Sequence, residues 1–330
     1  MDRTYFDAVI GHESIKEQLL RFISSGRLPH AMVFAGPEGL GKLPMAQAVA
    51  STLIGRPLFP GLSDLVCDEA HPFYQDRDEA YYLDLIGTML RVSQFRQLQE
   101  KLILHAEGNR ICLINHGETM NKEFANCMLK TLEEPPAGVH FILITNQPDL
   151  LLPTIVSRCA MVTFGAVSDG EMRDGLIRTR GGTAADYEQA VLWGGGNVAR
   201  VLELLAGQGL ENARRALEFL QVMSRHACPY AKGMTLTASL TEADAADIYR
   251  WLSMLLRDLV VLRRGVPAAQ LRLQQYGEEL TALLPYWPDA GIFSLLQVLD
   301  EAGEALRRHV NGRLVWDYVC IRFIKERGGH

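Results

Sequence analysis

The stretch "MVFAGPEGLGKLPMAQAVASTLI", residues 32–54, constrains the fold most. Four apolar residues, Met32 to Ala35, run straight into a loop with glycines at 36, 39 and 41. Behind it, Ala46, Val49, Ala50 and Leu53 recur at helical spacing. Strand, glycine loop and helix form the context in which Gly-x-x-x-x-Gly-Lys reads as a phosphate-binding loop. Gly36, Gly39 and Gly41 let backbone N–H groups converge on an anion, and the helix start adds partial positive charge. Lys42 is placed to reach the outer phosphates of a nucleotide. Pro44 falls in the first helical turn, where a missing N–H costs little. The next position of such a loop ordinarily holds Ser or Thr, whose hydroxyl ligates magnesium, and here it is Leu43.

Further strands follow. "ICLI" (111–114) and "FILIT" (141–145) are apolar runs of the kind buried in parallel sheets, and "MVTF" (161–164) is another candidate. Between the first two lies "NKEFANCMLKTLEEPP", where Phe124, Met128 and Leu132 share one helical face. Asn121 caps this helix and Pro135-Pro136 stops it. Alternating strands and helices predict an α/β domain, a parallel sheet with helices on both faces.

A hydrolase of this type needs a carboxylate at the end of the strand that follows the loop helix, to hold Mg²⁺, and a neighbouring Glu to polarise water. "ICLI" ends in Asn115 and His116 instead. Asn115 brings no negative charge, and a lone His at a strand end is commonly an ordinary polar residue. Glu118, two residues on, is a displaced substitute at best. With Leu43, Asn115 and His116 as degenerate positions, three losses bear on the same ion. The pattern reads as a site without metal and without hydrolysis. It leaves open weak ATP or ADP binding without Mg²⁺ through Lys42 and the loop amides.

Composition narrows the partners. A net charge of −6 argues against a broad DNA-coating surface, which needs clustered Lys and Arg. Six cysteines without a C-x-x-C pair fit reduced thiols in a cytoplasmic protein. The first residues lack the apolar core of a signal peptide, and "IYRWLSMLLRDLVVLRRG" is interrupted by Arg250, Arg257 and Asp258, which makes it a buried helix and not a membrane span. In residues 55–110 the only cysteine is Cys67, with His71 nearby. One Cys and one His cannot close a tetrahedral site, so no structural zinc is expected, and the segment reads as a loop followed by the helix "LRVSQFRQLQEKLIL".

Three segments carry a family resemblance: "GRLPHAMVFAGPEGLGK" (26–42), "NKEFANCMLKTLEEPPAGVHFILIT" (121–145) and "TIVSRC" (154–159). They resemble the bacterial DNA polymerase III clamp loader, a group of AAA+ ATPases and their inactive relatives. "KTLEEPP" and "SRC" are the specific part, and the degenerate loop is most like the delta-prime subunits. The resemblance implies an AAA+ P-loop domain (1–165), a small helical lid (166–207) and an all-α collar for oligomerisation (208–330). It implies that Val9, Ile10 and Gly11 line the adenine pocket, that Gly36, Gly39, Gly41 and Lys42 form the phosphate loop, and that Thr145 and Asn146 stand at sensor 1. It places Arg200 near sensor 2. Ser157, Arg158 and Cys159 match the motif whose arginine enters a neighbouring subunit's ATP site. A planar, permanently charged guanidinium suits a γ-phosphate, although an isolated Arg by default makes a structural ion pair, here at the end of the helix begun by Pro153.

The function implied is a subunit that does not hydrolyse ATP, in the DNA polymerase III holoenzyme. Arg158 would act in trans on a gamma/tau-like ATPase, beside a delta-like subunit, while a sliding clamp is loaded on primer-template DNA in DNA replication. No cofactor is required, and no membrane partner is implied. Two other readings stand beside it: an active gamma/tau-like ATPase using Glu118 or His116, and a nucleotide-responsive binding module outside replication. Apolar helix faces in the C-terminal half fit the collar reading and a self-contained helical core alike, because buried faces look the same whoever covers them. Ile248, Trp251, Leu252, Leu255, Leu259 and Leu262 make one, and "NGRLVWDYVCIRFI" is apolar on more than one side, as for a helix buried in a bundle.

Overall fold

Phe34 and Val33 point to opposite faces of one strand, and each meets its own helical layer. A computed structural model describes residues 4–104, 108–207, 210–308 and 310–328. Its strands are β1 (Ala31–Ala35), β2 (Tyr74–Asp76), β3 (Ala80–Leu83), β4 (Arg110–Ile114), β5 (Val139–Thr145) and β6 (Ala160–Thr163). They form one sheet in the order β2-β3-β4-β5-β1-β6, in which only β2 and β3 pair antiparallel. Met32, Phe34, Ile111, Leu113, Ile142 and Ile144 share a core with Leu19, Met45 and Val49. The alternate residues, such as Val33, Cys112 and Phe141, pack with Phe95, Phe124 and Met128 on the other face. Layers on both faces explain why these strands read as continuous apolar runs.

The loop helix spans Lys42–Ile54, and the helix Lys122–Glu133 starts where Asn121 accepts a hydrogen bond from the Phe124 amide at 2.8 Å. Such a cap is worth about 1 kcal/mol. One expectation fails between the loop helix and β4. Residues 74–83 form a hairpin, not a loop, and β3 lies beside β4 with all four of its residues buried. The strand hides because "AYYL" is short and flanked by acidic residues. The following helix begins at Val92.

Contacts divide the chain into two units, Met1–Leu202 and Glu203–His330. The first takes in the sheet and the helices Asp169–Arg180 and Ala184–Gly194, which belong to the expected lid. Residue 208, where the collar is expected to begin, lies outside the described residues. The second unit is helical, with Trp251, Trp287, Phe219 and Phe323 buried. Asp258 is buried there too, accepting the Leu273 amide at 2.8 Å and so anchoring the turn after its helix Glu242–Arg263. The last helix, Gly312–Glu326, is not buried on all sides. It buries Val315, Trp316, Val319, Cys320 and Phe323, while Leu314 and Ile321 are 62% and 55% exposed. Its own unit covers only one of its two apolar faces. Among the described residues no helix is long and apolar enough to cross a membrane.

Candidate nucleotide and arginine sites

Sheet register assembles the first site. β1 pairs with β5 so that Ala35 faces Thr145, and the Gly36 amide donates to the Thr145 carbonyl at 3.3 Å. The glycine loop therefore opens beside the end of β5. Lys42, at the start of the loop helix, is 5% exposed and folds back across the loop. Its Nζ donates to the Gly36 carbonyl (2.6 Å), the Pro37 carbonyl (2.6 Å) and Asn146 Oδ1 (2.8 Å). An ammonium has three donors, and these contacts use all three. Burial pushes the Lys42 pKa down to about 8, against the opposing charges of Glu118 and Glu38.

The remaining loop carbonyls are also committed. Glu38 O accepts from Asn197 Nδ2 at 2.7 Å, and Gly39 O from the Ala199 amide at 2.9 Å. Leu40 O accepts from His12 Nε2 at 2.8 Å, and Gly41 O from the Met45 amide at 3.0 Å. Asn197 Oδ1 meanwhile receives the Arg200 amide at 3.0 Å at the start of the helix Val198–Leu205. That helix start lies so close to the loop that a Cβ at Gly39 would sit 2.4 Å from Asn197 Oδ1. Gly39 also has φ of 80°, so two constraints require glycine there. Arg200 itself is buried.

The segment Val9–Gly11 is packed in the same manner. Lys16, fully buried, donates to the Val9 carbonyl at 2.6 Å and pairs with Glu13 at 2.8 Å. Arg178 of the helix Asp169–Arg180 reaches the same carbonyl at 3.1 Å. A Cβ at Gly11 would come within 2.4 Å of Val167, and Ile10 is 7% exposed. His12 is buried edge-on to Phe164, and burial lowers its pKa, which favours the neutral ring. None of Lys16, His12, Arg178 or Asn197 is singled out by the sequence.

The strand ends hold a polar cluster. β3 and β4 pair with Leu83 opposite Ile114, which sets Asp84 beside Asn115 and His116. Asp84 Oδ1 lies 2.7 Å from His116 Nδ1, and Asp84 Oδ2 accepts from Asn115 Nδ2 at 3.1 Å and from the Tyr82 hydroxyl. The hydrogen bond to Asp84 raises the His116 pKa despite burial. Burial pushes Asp84 up, but bonds from His116, Tyr82 and Asn115 outweigh it and leave Asp84 below its ordinary value. His116 is thus more than an ordinary polar residue: its Nδ1 is within hydrogen-bond distance of a carboxylate that the strand-end motif does not reveal. Glu118 accepts from the Thr145 hydroxyl at 2.7 Å and from the Asn146 amide at 3.2 Å. Thr145, Asn146, Lys42 and Glu118 therefore form one connected group. Leu43 packs against the apolar core. Among the described residues no three His, Cys, Asp or Glu side chains form a metal-binding group.

Arg158 stands apart from this loop. It follows the short helix Pro153–Val156, and its side chain is 36% exposed. Its Nη2 pairs with Glu133 Oε1 at 2.5 Å, and its Nη1 donates to the Thr154 carbonyl at 3.0 Å. The ion pair that is the default for an isolated Arg is present here. Cys159 is half-buried, and burial pushes its thiol up to about 11.

Comparisons with known proteins agree with the fold. The family model "DNA polymerase III, delta subunit" matches residues 11–168, and its C-terminal counterpart matches residues 211–324. The chain is 27% identical over 315 residues to DNA polymerase III subunit tau of Salmonella typhimurium, covering 84% of this chain and 46% of that one. It is 31% identical over 196 residues to DNA polymerase III subunit delta' of Pseudomonas aeruginosa, covering 56% and 58%. The chain thus spans about half the length of these curated relatives. A DNA polymerase III gamma subunit-related protein of Thermotoga maritima has the same fold, with a TM-score of 0.50, 18% identity, and coverage of 94% of this chain and 99% of that one. The chain belongs to the DNA polymerase III clamp-loader family.

Proposed function

We propose that this chain is a delta-prime-type clamp-loader subunit that does not hydrolyse ATP and supplies Arg158 to a neighbouring subunit's ATP site. The observation that carries the first half is the Lys42 ammonium, with its three donors on Gly36, Pro37 and Asn146. A phosphate would have to displace contacts already made in a buried setting. Leu43 offers no hydroxyl to a metal. Both candidates for a recruited base are tied: His116 to Asp84, Glu118 to Thr145 and Asn146. These ties disfavour the active-ATPase reading.

The second half rests on position. An exposed ion pair contributes roughly 0–1 kcal/mol, so exchanging Glu133 for a γ-phosphate costs Arg158 little. An arginine supplied in trans is worth roughly 10³–10⁵ in rate. Hetero-oligomerisation would use the second unit, where Phe293, Leu314 and Ile321 are each more than half exposed. The partners in this reading are gamma/tau-like and delta-like subunits, with the sliding clamp and primed DNA reached through the assembly.

ATP turnover by the purified chain tests the non-hydrolysing half. Turnover no higher than that of Lys42→Ala is expected. Turnover abolished by Lys42→Ala would favour an active ATPase.

A further inference from the structure

We infer that Glu133 is a positioning residue for Arg158, holding the guanidinium at the surface until a neighbour's γ-phosphate competes for it. The inference rests on the proposed role of Arg158 in trans. Three observations support it. Glu133 Oε1 lies 2.5 Å from Arg158 Nη2, and the Thr154 carbonyl takes Nη1 at 3.0 Å, so both ends of the fork are fixed. Both side chains remain open to solvent, at 36% for Arg158 and 51% for Glu133, so a phosphate can approach without dismantling a core.

The third observation is where Glu133 sits. It is the last residue of the helix Lys122–Glu133, with Glu134 immediately after it. A carboxylate at a helix C-terminus faces the negative end of the macrodipole and disfavours the helix. Local helix stability therefore does not account for Glu133, whereas a contact with a cation does. An incoming anion must displace this carboxylate from the guanidinium.

The competition predicts a specific kinetic signature. In a reconstituted clamp loader, Glu133→Gln keeps the shape and removes the rival charge. The KM for ATP at the site that Arg158 enters should fall about two- to fivefold, the range an exposed ion pair supports, with kcat within about twofold. Glu133→Asp should return KM toward the wild-type value. In an Arg158→Ala background, Glu133→Gln should leave KM unchanged. Melting of each free chain separates a purely structural role, which would shift Tm without touching KM. If Arg158→Ala alone leaves ATP turnover intact, the finger reading fails, and this inference with it. If Arg158→Ala abolishes stimulation while Glu133→Gln leaves KM unchanged, or shifts it equally without Arg158, the inference about Glu133 fails alone.

Discussion

Lys42 Nζ lies 2.8 Å from Asn146 Oδ1, which joins the start of the loop helix to the residue that follows β5. The contact is one of three on a buried ammonium, so the loop is held by its own side chains.

Magnesium should make no difference to nucleotide binding. Leu43 has no ligand atom, and the strand-end polar groups are engaged with one another. Calorimetry of ATP and ADP with the isolated chain should give the same Kd with and without Mg²⁺. Tightening by tenfold or more with Mg²⁺, about 1.4 kcal/mol, would show a metal site that the side chains do not account for.

Asn197→Ala should destabilise the first unit by about 1 kcal/mol. The change removes the helix cap to Arg200 and the bond to Glu38 O together. Denaturant unfolding should show a lower midpoint with an unchanged slope. A midpoint equal to wild type would mean that this contact does not hold the loop.

The Asp84–His116 pair should shape the pH dependence of stability. His116 has a raised pKa through its bond to Asp84, so its contribution is complete below about 6.5 and is lost as pH rises through the folded value. Asp84 is lowered, so its contribution is present above about 3.9 and is lost as pH falls through its folded value. Glu118 and Glu38 add to the raising of His116. The fall in Tm between about pH 6 and about pH 8 should shrink in His116→Gln. Parallel curves for variant and wild type would place the titration elsewhere.

Paired substitutions Leu314→Asp and Ile321→Asp should block assembly with partner subunits. Both side chains are largely exposed in the free chain, so its own stability should change by no more than about 0.5 kcal/mol per site. Gel filtration of mixtures and melting of the free variant check the two halves. Assembly at wild-type levels would remove this face from the interface.

Much of the architecture was legible because it rests on local signals. The run Met32–Ala35, the glycines after it and the helix behind them are contiguous, and Asn121 caps where its position implies. β3 was not legible, because four residues between acidic neighbours carry too little periodicity and their burial comes from β4. The engagement of the site was not legible either. Asn197 reaches Glu38 across 159 positions, and Asp84 reaches Asn115 across 31. Such pairs are fixed by strand register and helix packing, which no local pattern encodes. The exposure of Leu314 and Ile321 was missed for a related reason: an apolar face looks the same in sequence whether its own unit or a partner covers it.

The most direct measurement is clamp- and DNA-stimulated ATP turnover of the reconstituted complex carrying wild-type or Arg158→Ala chain. Stimulation at the site this chain completes should fall by roughly 10³ or more with Arg158→Ala, while the complex still assembles. Stimulated turnover that stays at the wild-type level in an intact Arg158→Ala complex would contradict it.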